Sequence, residues 1–230
     1  MPTLQHDGYE LHRGVLAADE LARLRDEVEA LARKAGSACI RHLRSRSAPI
    51  EALSSDPRLL ALMPDGQAAV RSILFDKNEH ENWPVAWHQD LTIAVERRVE
   101  TADYGPWSIK DSVPHAQAPV SLLREMATLR IHLDDSPAEN GALRVVPASH
   151  RLGKIPTEEI SAQVEKTEPV VVCECVAGDV LLMSPLLLHS SPRAIEPDRR
   201  RVIHLEYAPR DQLSPGLRWH ESISTTALPQ

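Results

Sequence analysis

Residues 18–35 place Leu21, Leu24, Val28 and Leu31 at i, i+3, i+7 and i+10, with charged side chains between them. That 3.6-residue period predicts an amphipathic helix, and Gly36 stands where a left-handed cap would end it. A shorter helical region is expected from Pro49 to Met63, with Asp56 as a cap ahead of Pro57. From Val70 the texture becomes strand-like. Strands are predicted over 70–77, 83–87 leading into His88, 91–95, 126–133, 170–176, 180–189 and 200–207. Along 126–133, Leu129, Ile131 and Leu133 share one face, and Arg130 and His132 share the other. Asn140-Gly141 and Gly178-Asp179 mark turns, the first read as joining strand 126–133 to Ala142–Val146. The region from about 96 to 120 shows no strong periodicity and directly follows the chemistry described below. It is expected to be a long irregular loop covering a site, a lid.

Helices followed by many strands predict a mainly β protein, a sandwich or barrel with N-terminal helices packed on it. No linker or repeat interrupts the pattern. One domain is therefore expected over 1–230, helical over about 1–64 and β over about 65–210. The hydrophobic fraction of 42% suits a substantial core, and the net charge of −7 argues against a nucleic-acid partner. No stretch is long and apolar enough to span a bilayer. Three cysteines form no disulfide framework and the first ten residues carry no signal-peptide pattern, so a cytoplasmic setting is expected. Cys173 and Cys175 fall on one strand face and read as core.

The candidate chemistry lies at Trp87-His88-Gln89-Asp90 and, a hundred residues later, at Leu188-His189-Ser190-Ser191. On a strand, His88 and Asp90 point to one side and Gln89 to the other. A distant strand on the opposite wall of a barrel would bring His189 to the same point. Two histidines and one carboxylate make the facial triad that holds Fe(II) and leaves positions open for a co-substrate and O2. The same three residues also suit zinc. Arg200 distinguishes the two metals: its planar fork pairs with a carboxylate in two places, which is what 2-oxoglutarate requires. Ser191 is the hydroxyl placed to assist it. Arg71, Lys77, Arg130 and His132 are candidate substrate contacts that would favour an anionic small molecule. Trp107, with Trp83, Trp87 and Tyr104, is a candidate apolar wall.

Together, Trp87–Leu91, Asn140–His150 and His189–Ser191 with Arg200–Ile203 resemble the phytanoyl-CoA dioxygenase family. These are Fe(II)- and 2-oxoglutarate-dependent oxygenases with a double-stranded β-helix (jelly-roll, cupin-like) core. The resemblance covers about residues 65–210 and implies His88, Asp90 and His189 as iron ligands, with Arg200 and Ser191 at 2-oxoglutarate. Pro147-Ala148-Ser149-His150 departs from it, standing where the family usually has Pro-Gly-Ser-His. Related halogenases carry Gly or Ala in place of the carboxylate ligand, so Asp90 implies hydroxylation of a small molecule, with succinate and CO2 released. The alternatives are a zinc enzyme on a cupin-like barrel, a non-catalytic ligand-binding barrel, and other oxidative outcomes such as desaturation or epimerisation. No CoA-binding signature is visible, and substrate and oligomeric state stay open.

Overall fold

The computed structural model describes residues 1–167, 169–210 and 212–221. The amphipathic helix forms over Ala18–Ala35 (α2), after a single turn at Leu4–Asp7 (α1). Leu21, Leu24 and Val28 are its buried stripe, and Gly36 ends it in the left-handed region (φ 61°). The second helical region divides into Ala48–Ser54 (α3) and Pro57–Leu60 (α4), with the Asp56 carboxylate accepting from the Arg58 N–H at the break. Two further short helices, Val120–Glu125 (α5) and Ile160–Lys166 (α6), lie between strands.

The strands are Tyr9–His12 (β1), Cys39–Arg41 (β2), Gln67–Lys77 (β3), Val85–His88 (β4), Thr92–Ala94 (β5), Trp107–Lys110 (β6), Val113–Gln117 (β7), Ala127–His132 (β8), Leu143–Val145 (β9), Val171–Cys173 (β10), Val180–Met183 (β11), His189–Ser191 (β12) and Arg200–Pro209 (β13). Six of them form a sheet in the order β1-β11-β8-β13-β3-β2. Four make a second sheet, β10-β9-β12-β4, and three a small one, β5-β7-β6. Every pairing is antiparallel. This is the expected mainly β jelly roll. The six-stranded sheet carries α2, α3 and α4 on one face, where Leu129, Ile131, Ile203 and Leu205 meet Leu21, Leu24, Val28 and Ile50. Its other face turns to the four-stranded sheet across Leu143, Val145, Leu181 and Met183. Each such side chain fully buried contributes about 1.5–3 kcal/mol, so the alternation along β8 and β13 fixes which face is wet chemistry and which is core.

Four expectations are corrected. The N-terminal part is not only helical: β1 and β2 are the two edges of the large sheet, strands too short for their alternation to stand out. Residues 180–189 are not one strand. Ser184–Leu188 turns the chain, so β11 and β12 lie in different sheets and His189 begins a strand instead of ending one. Asn140-Gly141 is no hairpin turn, because β8 and β9 also belong to different sheets. The chain crosses between them through a 3-10 turn capped by Gly141 at φ 69°. Finally, the second half of region 96–120 is not irregular: β6 and β7 form a hairpin on β5. Its turn residues, Asp111 and Ser112, both have positive φ (49° and 64°), the demand of a primed hairpin turn. Asn-Gly or Asp-Gly usually signals that turn, and Asp-Ser does not.

Candidate metal centre and co-substrate cavity

β4 and β12 are hydrogen-bonded neighbours, in a register that sets His189 directly opposite His88. The two histidines therefore meet across adjacent strands of one sheet, not from opposite walls. Their ring centroids are 4.1 Å apart. Asp90 lies two residues past the end of β4, held by its N–H to the Pro185 carbonyl (2.9 Å). Its Oδ1 is 3.6 Å from His88 Nε2 and its Oδ2 is 3.6 Å from His189 Nε2. One ligand atom from each of the three lies within 4.8 Å of the others, the sole such group among the described residues.

Both rings are oriented by their own strand. His88 Nδ1 donates to the Ala86 carbonyl (2.8 Å) and His189 Nδ1 to the Leu187 carbonyl (2.9 Å). That arrangement fixes the tautomer and leaves each Nε2 lone pair facing the other two groups. Burial pushes His189 down to about 3, so its imidazole is neutral. On His88 burial also opposes the charge, but Asp90 beside it leaves the value raised. Burial works against the Asp90 carboxylate too, yet His189 and His88 hold it well below the usual range. Asp90 Oδ2 is buried with no hydrogen-bond donor. An ionised carboxylate with an unpartnered oxygen, facing two imidazole nitrogens, fits a metal ion. Gln89 points the other way, as expected. Its amide donates to the Gly153 and Leu186 carbonyls and accepts from Ile155 N–H, tying the chain around the triad together.

Behind the triad, between the two larger sheets, is a cavity of about 180 Å3. Arg200 reaches it from β13, Lys77 from β3, Arg130 from β8 and Ser191 from β12. The Ser191 hydroxyl is fully used: it donates to the Gly141 carbonyl (3.0 Å) and accepts from Arg200 (3.1 Å) and Lys77 (3.2 Å). Neither Arg200, Lys77 nor Arg130 has a carboxylate partner among the described residues. Burial, with Arg200 and Arg130 adding to it, pushes Lys77 down to about 7. Burial and Arg130 push Arg200 down to about 10. Basic side chains crowded around one cavity fit an acid with two carboxylates, which would relieve their mutual repulsion.

The other candidates are spread out. Arg71 pairs with Glu206 (2.8 Å) and lines a second, outer cavity. His132 is buried and lines neither cavity. Trp107 packs on the cluster around β5–β7 beneath Arg98 (5.6 Å) and lines neither of these two cavities. Trp83 borders the inner cavity under Lys77 (5.0 Å) and Trp87 borders the outer one. Cys173 and Cys175 are buried, and burial raises both thiols to about 12. Sequence reasoning missed His204. It lines the inner cavity, accepts from Arg130 at Nδ1 (3.2 Å) and so donates from Nε2 to Glu206 (3.3 Å). The signal was present: counting in twos from Arg200 along β13 reaches Val202, His204 and Glu206.

A jelly roll holding two histidines and an aspartate beside a cationic cavity defines a class, the mononuclear metal oxygenases that take an acidic co-substrate. Within that class, the chain belongs to the phytanoyl-CoA dioxygenase (PhyH) family, whose model matches residues 4–202. The chain is thus an oxygenase of the iron- and 2-oxoglutarate-dependent type. Its structure is similar to that of AviO1 from Streptomyces viridochromogenes Tue57, at 25% identity and TM-score 0.64, covering 94% of this chain and 93% of that one. The epimerase SnoN, in complex with Fe3+, alpha-ketoglutarate and nogalamycin RO, is 22% identical with TM-score 0.69, covering 90% and 81%. HygX from Streptomyces hygroscopicus, with nickel and 2-oxoglutarate bound, is 18% identical with TM-score 0.65, covering 90% and 84%. The latter two likenesses are of fold. None of the curated proteins matches the chain in sequence.

Proposed function

We propose that the protein hydroxylates a small molecule, using Fe(II), O2 and 2-oxoglutarate and releasing succinate and CO2. The observation carrying this reading is that Asp90, with its unpartnered Oδ2, and Arg200, with no carboxylate partner among the described residues, line the same cavity. Iron held by His88, Asp90 and His189 would supply the oxidation of a C–H bond coupled to decarboxylation of the keto acid. The protein's own residues bind and orient. Arg200 offers two parallel N–H groups to the distal carboxylate, and Ser191 sets the angle of that fork. Lys77 and Arg130 balance the remaining negative charge. The apolar lining of half-buried Phe75 and buried Leu143 and Val202 keeps water from the reacting centre. The SnoN and HygX structures with 2-oxoglutarate bound support the co-substrate, and the full carboxylate at Asp90 supports hydroxylation. A zinc hydrolase reading leaves Arg200 without a role.

Anaerobic addition of Fe(II) and then 2-oxoglutarate is expected to give a weak visible charge-transfer band, which Arg200→Met abolishes at the same co-substrate concentration. Absence of the band from the wild-type protein sinks the reading. With a turned-over substrate, label from 18O2 in the product supports hydroxylation. Product that has lost hydrogen or inverted a centre without label means desaturation or epimerisation instead.

A further inference from the structure

His88 and Asp90 are shared between two cavities. The inner one holds Arg200; the outer one, about 370 Å3, shares the same two ligands but has none of the inner cavity's cations. That volume falls within the range of small-molecule sites. One of its walls is apolar: Trp87 at the end of β4, with Ile155 and Ile160 ahead of and at the start of α6. The β6–β7 hairpin also lines it, through Lys110 and Gln117. Two cations border the space, and their states differ. Arg71 is neutralised by Glu206 and also donates to the Thr92 carbonyl (3.1 Å). Lys110 has no carboxylate partner among the described residues, and its neighbour Asp111 pairs with Arg41 (3.1 Å). Burial, then Arg71 and Arg41, pull Lys110 down, against Glu206 and Asp90, which favour its charge.

We propose that the substrate is a small organic acid, its carboxylate received by Lys110 and its apolar body lying along Trp87, Ile155 and Ile160 above His88 and Asp90. This inference rests on the oxygenase reading and adds the substrate class to it. Separate cationic anchors in the two cavities let two acids occupy the site together without competing. The inner anchor takes the keto diacid and the outer one the substrate.

The test uses the full chain, anaerobic, with Fe(II) and saturating 2-oxoglutarate so that the inner cavity is filled. Tryptophan fluorescence is followed during titration with 3-phenylpropionate, its amide and 3-phenylpropylamine. The acid is expected to bind about tenfold more tightly than the amide, the scale of one charge-assisted hydrogen bond, and the amine most weakly. Lys110→Met removes the preference for acid while leaving amide binding in place, Lys110→Arg keeps it, and Trp87→Leu weakens acid and amide alike. Equal binding of acid and amide, an acid preference that survives Lys110→Met, or no saturable binding by any probe overturns the proposal. The charge-transfer band at the start of the same titration reports on the oxygenase reading separately, so the two failures are distinguishable.

Discussion

Three consecutive arginines show how a single residue acquires its role. Arg199 and Arg201 point outward to carboxylates, Arg199 to Asp76 (2.8 Å) and Arg201 to Asp134 (2.7 Å). Strand alternation turns Arg200, between them, into the cavity, only 4% exposed. Charge is needed there, but so is shape. Arg200→Lys is expected to weaken 2-oxoglutarate binding by about 10- to 100-fold, since a bidentate charge-assisted pair becomes a point contact worth about 1.5–3 kcal/mol less. Calorimetric titration checks this, and an affinity within threefold of wild type refutes it. Ala148 explains the departure at Pro-Ala-Ser-His. Its φ of 61° lies in the left-handed region, where a Cβ costs about 1–2 kcal/mol. Ala148→Gly removes that strain but gives the unfolded chain about 0.4–1 kcal/mol of extra freedom. A net gain of about 0.5–1 kcal/mol by denaturant unfolding is expected, with no change in activity. Ser149 of the same motif braces the triad, accepting the N–H of Leu188 (2.8 Å) just ahead of His189.

At the scale of elements, β12 is three residues long yet sets the site by its pairings: His88 on one side, Val145 on the other. A slip of one residue would turn both His189 and Ser191 away from the cavity. The crossover turn at Gly141 guards that register. A Cβ there would meet the Pro192 carbonyl oxygen at 2.6 Å, and the Gly141 carbonyl receives the Ser191 hydroxyl. Gly141→Ala is therefore expected to lower stability by at least about 1–2 kcal/mol from the φ penalty alone. It should also weaken 2-oxoglutarate binding, because Ser191 loses its anchor. Loss of stability with unchanged co-substrate affinity would show that the turn does not position Ser191.

At the scale of the whole molecule, folding encloses unpaired cations and neutral histidines, and both set how stability responds to solution conditions. His132 is 1% exposed; burial, with Arg130 and Arg200 adding to it, pushes it down to about 3. His115, also buried, is pushed down to about 4. Both stay neutral in the fold but titrate at the ordinary 6.5 when unfolded. Below 6.5 the unfolded chain binds protons that the native one does not. Their contribution is complete above pH 6.5 and is lost as pH falls toward 4 and 3, at up to about 1.4 kcal/mol per unit for each group. Urea midpoints should fall through this window, and His132→Leu should flatten the decline; an unchanged slope would refute the assignment. Metal acts in the opposite direction. Fe(II) at about 100 times its Kd, under anaerobic conditions, is expected to stabilise the fold by about 2.7 kcal/mol, and Asp90→Ala should abolish the effect in thermal unfolding.

The linear order of residues was enough to place α2 with its Gly36 cap, the course of β3, β8 and β13, and the three residues that converge at the candidate centre. Local rules govern each of these: a period of 3.6 or 2, a cap, a pair spaced i and i+2. Partnership between segments was not legible. That β1 and β2 close the sheet, that β11 and β12 part into different sheets, and that Trp107 packs away from the site while Lys110 faces it all depend on contacts between distant stretches of chain. Long-range packing decides which neighbour satisfies a strand edge or a ring, and no local pattern records that competition.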